Sequence, residues 1–208
     1  MNPYVSKGLW WIGAVTSVLI ALISYRYFIP NIPVPSSITG NAMAHPWLWV
    51  HAGFGATSLL VGPWQFIPRL RARWPQVHRW IGRIYVFSVL VGGCAGLLLA
   101  SGTTAGPIAR AGFGLLSIVS VGLAGNGLRL ALTGRYAEHR EWMVRSFAVI
   151  FGAVLLRAYL PVAQLAGIPF MPAYRAISWL AWVPNLVVAE LYLRGAFRPR
   201  RPVPVTVS

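Results

Sequence analysis

Two short stretches, HRWIGR at 78–83 and HREWMVR at 139–145, each place a histidine–arginine pair ahead of a further arginine. Their candidate residues are His78, Arg79 and Arg83 in the first stretch and His139, Arg140 and Arg145 in the second. Two neutral imidazoles that face each other across a helical bundle can ligate the iron of haem b, and nearby arginines can pair with its propionates. The alternative is that both stretches bind anionic lipid headgroups where two helices begin.

Three more polar residues, His51, Gln65 and Arg157, lie within apolar stretches. Polar side chains at membrane depth cost free energy, so they are candidates for function by default. At about 1.5 Å per residue, His51 and Arg157 fall near one side of the bilayer, and Gln65 approaches the other. This set could bind a quinone or form a polar network, because a histidine can donate to or accept from a carbonyl group. The alternative is that each side chain only hydrogen-bonds a neighbouring helix.

The composition is that of an integral membrane protein. Hydrophobic residues make up 57% of the chain and charged residues only 10%, against roughly 25% charged residues in soluble domains. The net charge of +15 would suit nucleic acid in a soluble protein, but here the arginines lie between apolar stretches and favour anionic lipids. The sequence therefore predicts a lipid bilayer as partner and no nucleic acid.

Motifs of hydrolases and nucleotide-binding enzymes are absent from the sequence. There is no Walker loop, HExxH, GxSxG or dinucleotide-binding glycine pattern. The single cysteine, Cys94, lies in an apolar run, so it forms no CxxC motif and is interpreted as a packing residue. No catalytic residue is assigned, and electron transfer is the reaction that the remaining polar residues suggest.

Hydropathy and helix breakers predict an all-α fold with six transmembrane helices in one domain, residues 1–208. The spans are about 9–29, 46–68, 78–100, 106–132, 140–166 and 174–194. The first is predicted to be a retained helix, since no small-residue cleavage site follows its apolar run before Arg26. Residues 195–208 are rich in proline and arginine and are predicted to form a flexible cytoplasmic tail.

The distribution of positive charge predicts the orientation in the membrane. If both termini are cytoplasmic, fourteen lysines and arginines lie at cytoplasmic span ends and three at outer ends. Cytoplasmic loops of membrane proteins carry such an excess of Lys and Arg. Both termini are therefore predicted to be cytoplasmic, and both histidine–arginine stretches lie near the cytoplasmic face.

An internal repeat relates the second and third spans to the fourth and fifth. GFGATSLLVG at 53–62 aligns with GFGLLSIVSVG at 112–122, and the alignment continues to the two histidine–arginine pairs with an offset of 59 to 61 residues. Both copies are helical hairpins of the same orientation, so the repeat is parallel. We therefore expect a four-helix core made of spans two to five, with spans one and six at its sides.

The motifs GPWQF at 62–66, HRWIGRIYV at 78–86 and HREWMVRSF at 139–147 resemble a family of predicted bacterial membrane proteins described only as a domain of unknown function. The resemblance covers about 46–160. It implies a multi-helix bundle in the inner membrane of a bacterium and no established activity. In topology, the six spans are also similar to the six-helix b-type cytochromes that carry two haems. Span four has no histidine to partner His51, so at most one haem with two histidine ligands is expected.

Three hypotheses for the function follow from these residues. The first is an accessory or structural subunit of a larger membrane complex, in contact with anionic lipids and other membrane subunits. The second is a redox-associated protein that binds haem b or a quinone near the cytoplasmic face. Its strongest form is a b-type electron carrier with His78 and His139 as ligands. The third is a small-molecule transporter built on the repeat.

Overall fold

The computed structural model describes residues 3–29 and 40–196, and these residues form α-helices and two 3-10 turns, with no strand. The helices are α1 (Pro3–Ser24), α2 (Ala44–Val61), α3 (Pro68–Arg73), α4 (Pro75–Ser101), α5 (Pro107–Leu132), α6 (Tyr136–Ile150), α7 (Gly152–Leu165), α8 (Phe170–Leu180) and α9 (Val183–Leu193). The 3-10 turns are Tyr25–Phe28 and Pro63–Phe66. The predicted all-α fold is confirmed. The tail predicted at 195–208 lies, from residue 197 onward, outside the described residues.

Five stretches of the described chain are long and apolar enough to cross a membrane. They are Gly8–Phe28, Pro75–Ser101, Pro107–Leu132, Tyr136–Leu165 and Phe170–Leu193. Each overlaps one of the spans predicted from hydropathy. The chain is therefore a membrane protein with several transmembrane helices.

The second predicted span, 46–68, takes a different form in the structure. Helix α2 ends at Val61, and a 3-10 turn and the short helix α3 follow it. Pro63 has no amide hydrogen, so it cannot continue the α-helical hydrogen bonds. Helix α2 also carries His45 and His51 in its first half, and it is not among the five apolar stretches. The count of six spans thus depends on α2, which packs between α1 and α4.

Two of the predicted spans each contain a break. Helices α6 and α7 meet at Phe151, and α8 and α9 meet after Ala181. The two breaks pack against each other, because a Cβ on Gly152 would lie 2.9 Å from the carbonyl oxygen of Ala181. Glycine permits so close an approach of two backbones. The spans predicted at 140–166 and 174–194 are therefore each built from two helices.

The core of the bundle combines contacts between successive long helices with contacts that α8 and α9 make to earlier helices. Helix α2 packs on α4, α4 on α5 and α5 on α6, while α8 packs on α5 and α9 on α6. A buried cluster joins α4, α5 and α6 through Tyr85, Val89, Ala124 and Met143. Beside it, the hydroxyl oxygens of Tyr85 and Ser146 lie 3.0 Å apart. This packing determines which faces of α4 and α6 are turned toward each other.

Gly112 lets α8 approach α5 closely. A Cβ at this position would lie 2.9 Å from both the Cβ and the carbonyl oxygen of Ser178. Gly112→Ala is therefore expected to lower the free energy of unfolding by about 1–3 kcal/mol, because α8 must shift to make room. On the same helix, a Cβ on Gly122 would meet nothing within 4 Å, so Gly122→Ala is the matched control. Thermal unfolding of the detergent-purified variants measures the loss of stability in each. An equal loss in Gly112→Ala and Gly122→Ala would contradict the close packing of α8 on α5.

Candidate functional site

A large cavity opens at the end of the bundle where α4 and α6 begin and α5 ends. Its volume is about 1510 Å³. Helices α1 and α9 contribute to its sides, and so does the segment from Pro63 to Pro75. Pockets for drug-sized ligands measure roughly 300–1,000 Å³, so this cavity has room for a large ligand or for two smaller ones.

Part of the cavity wall is polar and positively charged. His78 and His139 line it together with Arg79, Arg83 and Arg140. A fourth arginine, from the short helix α3, also lines it and was not a candidate from the sequence; it is Arg71. Among the residues that the structure describes, no aspartate or glutamate lines this cavity. The local charge therefore favours a ligand that is negatively charged.

The packing of α4 near α6 places the two histidines on facing sides. His78 precedes Tyr85 by seven residues, and His139 precedes Ser146 by the same number. Seven residues make about two turns of an α-helix, so each histidine lies on the same face as the later residue. The Tyr85 and Ser146 hydroxyls lie 3.0 Å apart, so both histidines lie on facing sides of the two helices, about 10 Å nearer the helix starts.

His139 is held in one orientation by a hydrogen bond to α5. Its Nδ1 donates to the backbone carbonyl oxygen of Gly127, which is 2.8 Å away. Because a carbonyl oxygen can only accept, we assign the proton of the neutral imidazole to Nδ1, and Nε2 keeps its lone pair. Histidines that bind metals commonly make such a hydrogen bond through the other ring nitrogen. Nε2 of His139 is thus suited to act as a ligand.

Two polar atoms at the cavity wall are buried without a hydrogen-bond partner among the described residues. They are Nδ1 of His78 and Nε2 of Gln65. Leaving such an atom unsatisfied costs about 1–3 kcal/mol. The amide of Gln65 lies against α4, where a Cβ on Gly82 would be 3.1 Å from Oε1. Buried polar atoms of this kind normally have a partner, so both side chains point to a ligand or an ordered water.

Arg145, which the sequence grouped with the candidate propionate partners, does not line the cavity. Its Nε lies 2.5 Å from Oε1 of Glu190 on α9, and its Nη2 lies 3.2 Å from Oε2 of the same residue. Its Nη1 also lies 3.6 Å from Oε2 of Glu141. The guanidinium is therefore already paired with carboxylates. Arg83 differs, because it lines the cavity and lies over the ring of Trp80, with 4.8 Å from its Cζ to the ring centre.

His51 and Arg157 lie apart from this cavity. Nδ1 of His51 donates to the carbonyl oxygen of Gly92 on α4 at 2.9 Å. Arg157 donates to the carbonyl oxygen of Ala153, one turn earlier in its own helix, at 3.0 Å. Within the described part of the chain, no hydrogen bond joins His51 to Arg157. Gln65 lies at the cavity instead, so the structure places it apart from the other two residues that the sequence grouped with it as a quinone site or polar network.

The rest of the cavity wall is apolar and rich in aromatic rings. The ring centres of Phe66 and Phe147 lie 5.4 Å apart, and those of Phe147 and Phe151 lie 6.3 Å apart. Trp10 of α1 and Val188 of α9 line the same space. The cavity therefore joins cationic groups to an apolar interior, which is the combination that an amphiphilic anion requires.

Residues 48–193 match the family described as "Predicted membrane protein (DUF2306)". The chain belongs to this family. The match includes every residue that lines the cavity except those of α1. The resemblance inferred from the sequence motifs is therefore confirmed, and the family description adds a membrane location without an activity. No curated protein and no solved structure matches the chain.

Metal-binding groups are few in this member of the family. Within residues 3–29 and 40–196, no group of three or more His, Cys, Asp or Glu side chains could hold a metal ion. A haem iron needs fewer protein ligands than a free metal ion, because the porphyrin already binds it. The two histidines that line this cavity are His78 and His139.

Proposed function

We propose that the protein is a redox-associated membrane protein that binds haem b in the cavity, where His78 and His139 would hold its iron. The observation that carries this proposal is that both histidines line one cavity whose described wall contains arginines and no carboxylate. Haem b has an apolar ring, two propionates and an iron that accepts two imidazoles, and so it suits such a wall. When bound, haem supplies one-electron transfer.

Each group of the wall has a part in this proposal. His139 offers Nε2, and its hydrogen bond to Gly127 keeps the ring in place. Arg79, Arg83 and Arg140 donate charge-assisted hydrogen bonds to the propionates. Arg79 and Arg140 are exposed, so they can hold the propionates where the cavity meets water. The aromatic side chains deeper in the cavity exclude water from the iron.

The proposal places the site near the cytoplasmic face of a bacterial inner membrane, with both termini on that side. Its basis is the excess of arginine at this end of the bundle, which the positive-inside rule assigns to the cytoplasm. Six spans are proposed, with α2 as the second. Arginines outside the cavity wall, such as Arg69, Arg73 and Arg129, are exposed and suited to anionic lipid headgroups.

Two other functions share part of this basis. An accessory subunit would bind its partners through exposed apolar faces, such as that of α1, where Leu9 and Ile12 are more than half exposed. A bilayer covers such faces equally well. A transporter would need access from both sides of the membrane, yet the cavity of about 350 Å³ beside Tyr25 and Trp49 shares no lining residue with the large cavity. The paired histidines therefore favour the redox function.

A visible absorption spectrum of the detergent-purified protein tests this proposal. The protein is expressed with ample haem, and spectra are recorded after oxidation and after reduction with dithionite. We expect a sharp α-band in the reduced protein and about one haem per chain, because two histidine ligands give a low-spin iron. A spectrum without haem absorbance in either state would rule the proposal out and favour the accessory-subunit hypothesis.

A further inference from the structure

The cavity extends well beyond its two histidines. Its volume of about 1510 Å³ exceeds the roughly 300–1,000 Å³ typical of a pocket for one small ligand. The wall also includes Trp10 and Gly13 on α1, Phe66 after α2 and Val188 on α9. A cofactor held by the histidines of α4 and α6 would contact only part of this surface. The remaining surface is apolar and suits a hydrocarbon chain.

Helices α1 and α9 both line the cavity, yet they make few direct contacts with each other in the described part of the chain. Helix α1 packs mainly on α2, and α9 mainly on α6. Small residues face the cavity here, namely Gly13 and Ala14 on α1 and Ala189 on α9. Both helices belong to stretches that are long and apolar enough to cross a membrane, so an opening between them would face lipid tails. An apolar chain can therefore enter from the bilayer without crossing water.

Gln65 and Arg71 offer polar contacts that the proposed haem does not use. Nε2 of Gln65 is buried without a described partner, and rotation of the amide can present either Nε2 or Oε1 to the cavity. Arg71 lines the cavity and forms no ion pair with a carboxylate in the described residues. Both side chains come from the segment between α2 and α4, so they form one polar side of the wall.

We infer that the cavity binds a second, membrane-borne amphiphile. Its apolar chain lies between α1 and α9, and the oxygen atoms of its headgroup accept hydrogen bonds from Gln65 and Arg71. The inference rests on the proposed function in one respect, which is that the two histidines are assigned to haem. Two membrane components have this chemistry: an isoprenoid quinone, through its ring carbonyls, and an anionic phospholipid, through its phosphate. A quinone would place a redox partner beside the proposed haem, whereas a phospholipid would be a structural ligand.

Native mass spectrometry of the detergent-purified protein tests this inference. The probes are decyl-ubiquinone and phosphatidylglycerol, with phosphatidylcholine as the reference lipid. We expect saturable binding of at least one probe, and at least tenfold weaker binding of that probe in Gln65→Leu and Arg71→Gln. Gln164→Leu is the matched control, since Gln164 is exposed on α7 and donates only to the carbonyl oxygen of Ile168. Which probe binds identifies the source of the amphiphile.

A variant on α1 tests the route of entry. A Cβ on Gly13 would meet only the ring of Phe151, at 3.9 Å, so Gly13→Leu has room at its Cβ and extends an apolar side chain into the cavity beside Phe151. We expect it to abolish probe binding, while Gly8→Leu, where a Cβ meets nothing within 4 Å, binds like wild type. Wild-type binding by the Gln65, Arg71 and Gly13 variants, or no probe bound above phosphatidylcholine, would overturn the inference. Haem absorbance read in the same samples separates this outcome from failure of the haem proposal.

Discussion

Replacing His139 with alanine is expected to abolish the reduced α-band that the haem proposal predicts. The imidazole is held by its 2.8 Å hydrogen bond to Gly127, and no other described histidine lines the cavity except His78. Removing one ligand leaves the iron with a single imidazole, so the low-spin spectrum is lost. We expect the haem content after purification to fall at least tenfold in His139→Ala and in His78→Ala. Reduced-minus-oxidised spectra and a haem assay measure both quantities.

His45→Ala provides the matched control for this prediction. His45 lies at the start of α2, with its ring centre 5.0 Å from that of Trp49, and it does not line the cavity. Its removal is expected to leave the spectrum unchanged. His139→Met separates ligation from a merely structural role, since methionine can also bind the iron and should raise the reduction potential. An α-band that survives in both alanine variants at the cavity would contradict the assignment of the ligands.

Hydropathy and prolines predicted most helices to within a few residues. The span predicted at 106–132 is the helix Pro107–Leu132, because proline and glycine at its start mark the boundary in the sequence itself. The break at Phe151 has no such mark, since it depends on the close approach of Gly152 to Ala181. A contact between segments distant in sequence cannot be inferred from local propensity. Conversely, a proline in the sequence does not always mark the end of a helix, because Pro161 lies within α7 and the helix continues past it.

The two histidine–arginine stretches predicted most of the charged residues that line the cavity. Arg145 is the exception, because it does not line the cavity, and helix geometry explains why. Arg83 lies five residues after His78, but Arg145 lies six residues after His139. One residue turns an α-helix by about 100°, so Arg145 is directed toward α9 and Glu190 instead of the cavity. Arg71 was missed because it lies between the second and third predicted spans, at 46–68 and 78–100. Its place in the wall depends on how the short helix α3 packs on α4.

A second large effect is expected at the Arg145–Glu190 pair, which joins α6 to α9. The Arg145 side chain is 18% exposed and that of Glu190 is 33% exposed, and two hydrogen bonds connect them. Glu190→Gln removes the carboxylate charge and leaves the guanidinium with only Glu141 nearby. Breaking a fully buried pair costs about 3–5 kcal/mol, and surface pairs contribute about 0–1 kcal/mol. For this partly exposed pair we expect the free energy of unfolding to fall by about 1–2 kcal/mol, measured by thermal or denaturant unfolding in detergent.

The Arg135–Glu138 pair is the matched control within the same chain. It also has two hydrogen bonds, but its side chains are 53% and 48% exposed and it lies within a single turn. Glu138→Gln is therefore expected to leave the unfolding midpoint unchanged. Replacing both Arg145 and Glu190 with methionine should recover most of the loss, since no unpaired charge remains. If Glu190→Gln proved as mild as Glu138→Gln, the attachment of α9 would have to come from its apolar contacts with α6 alone.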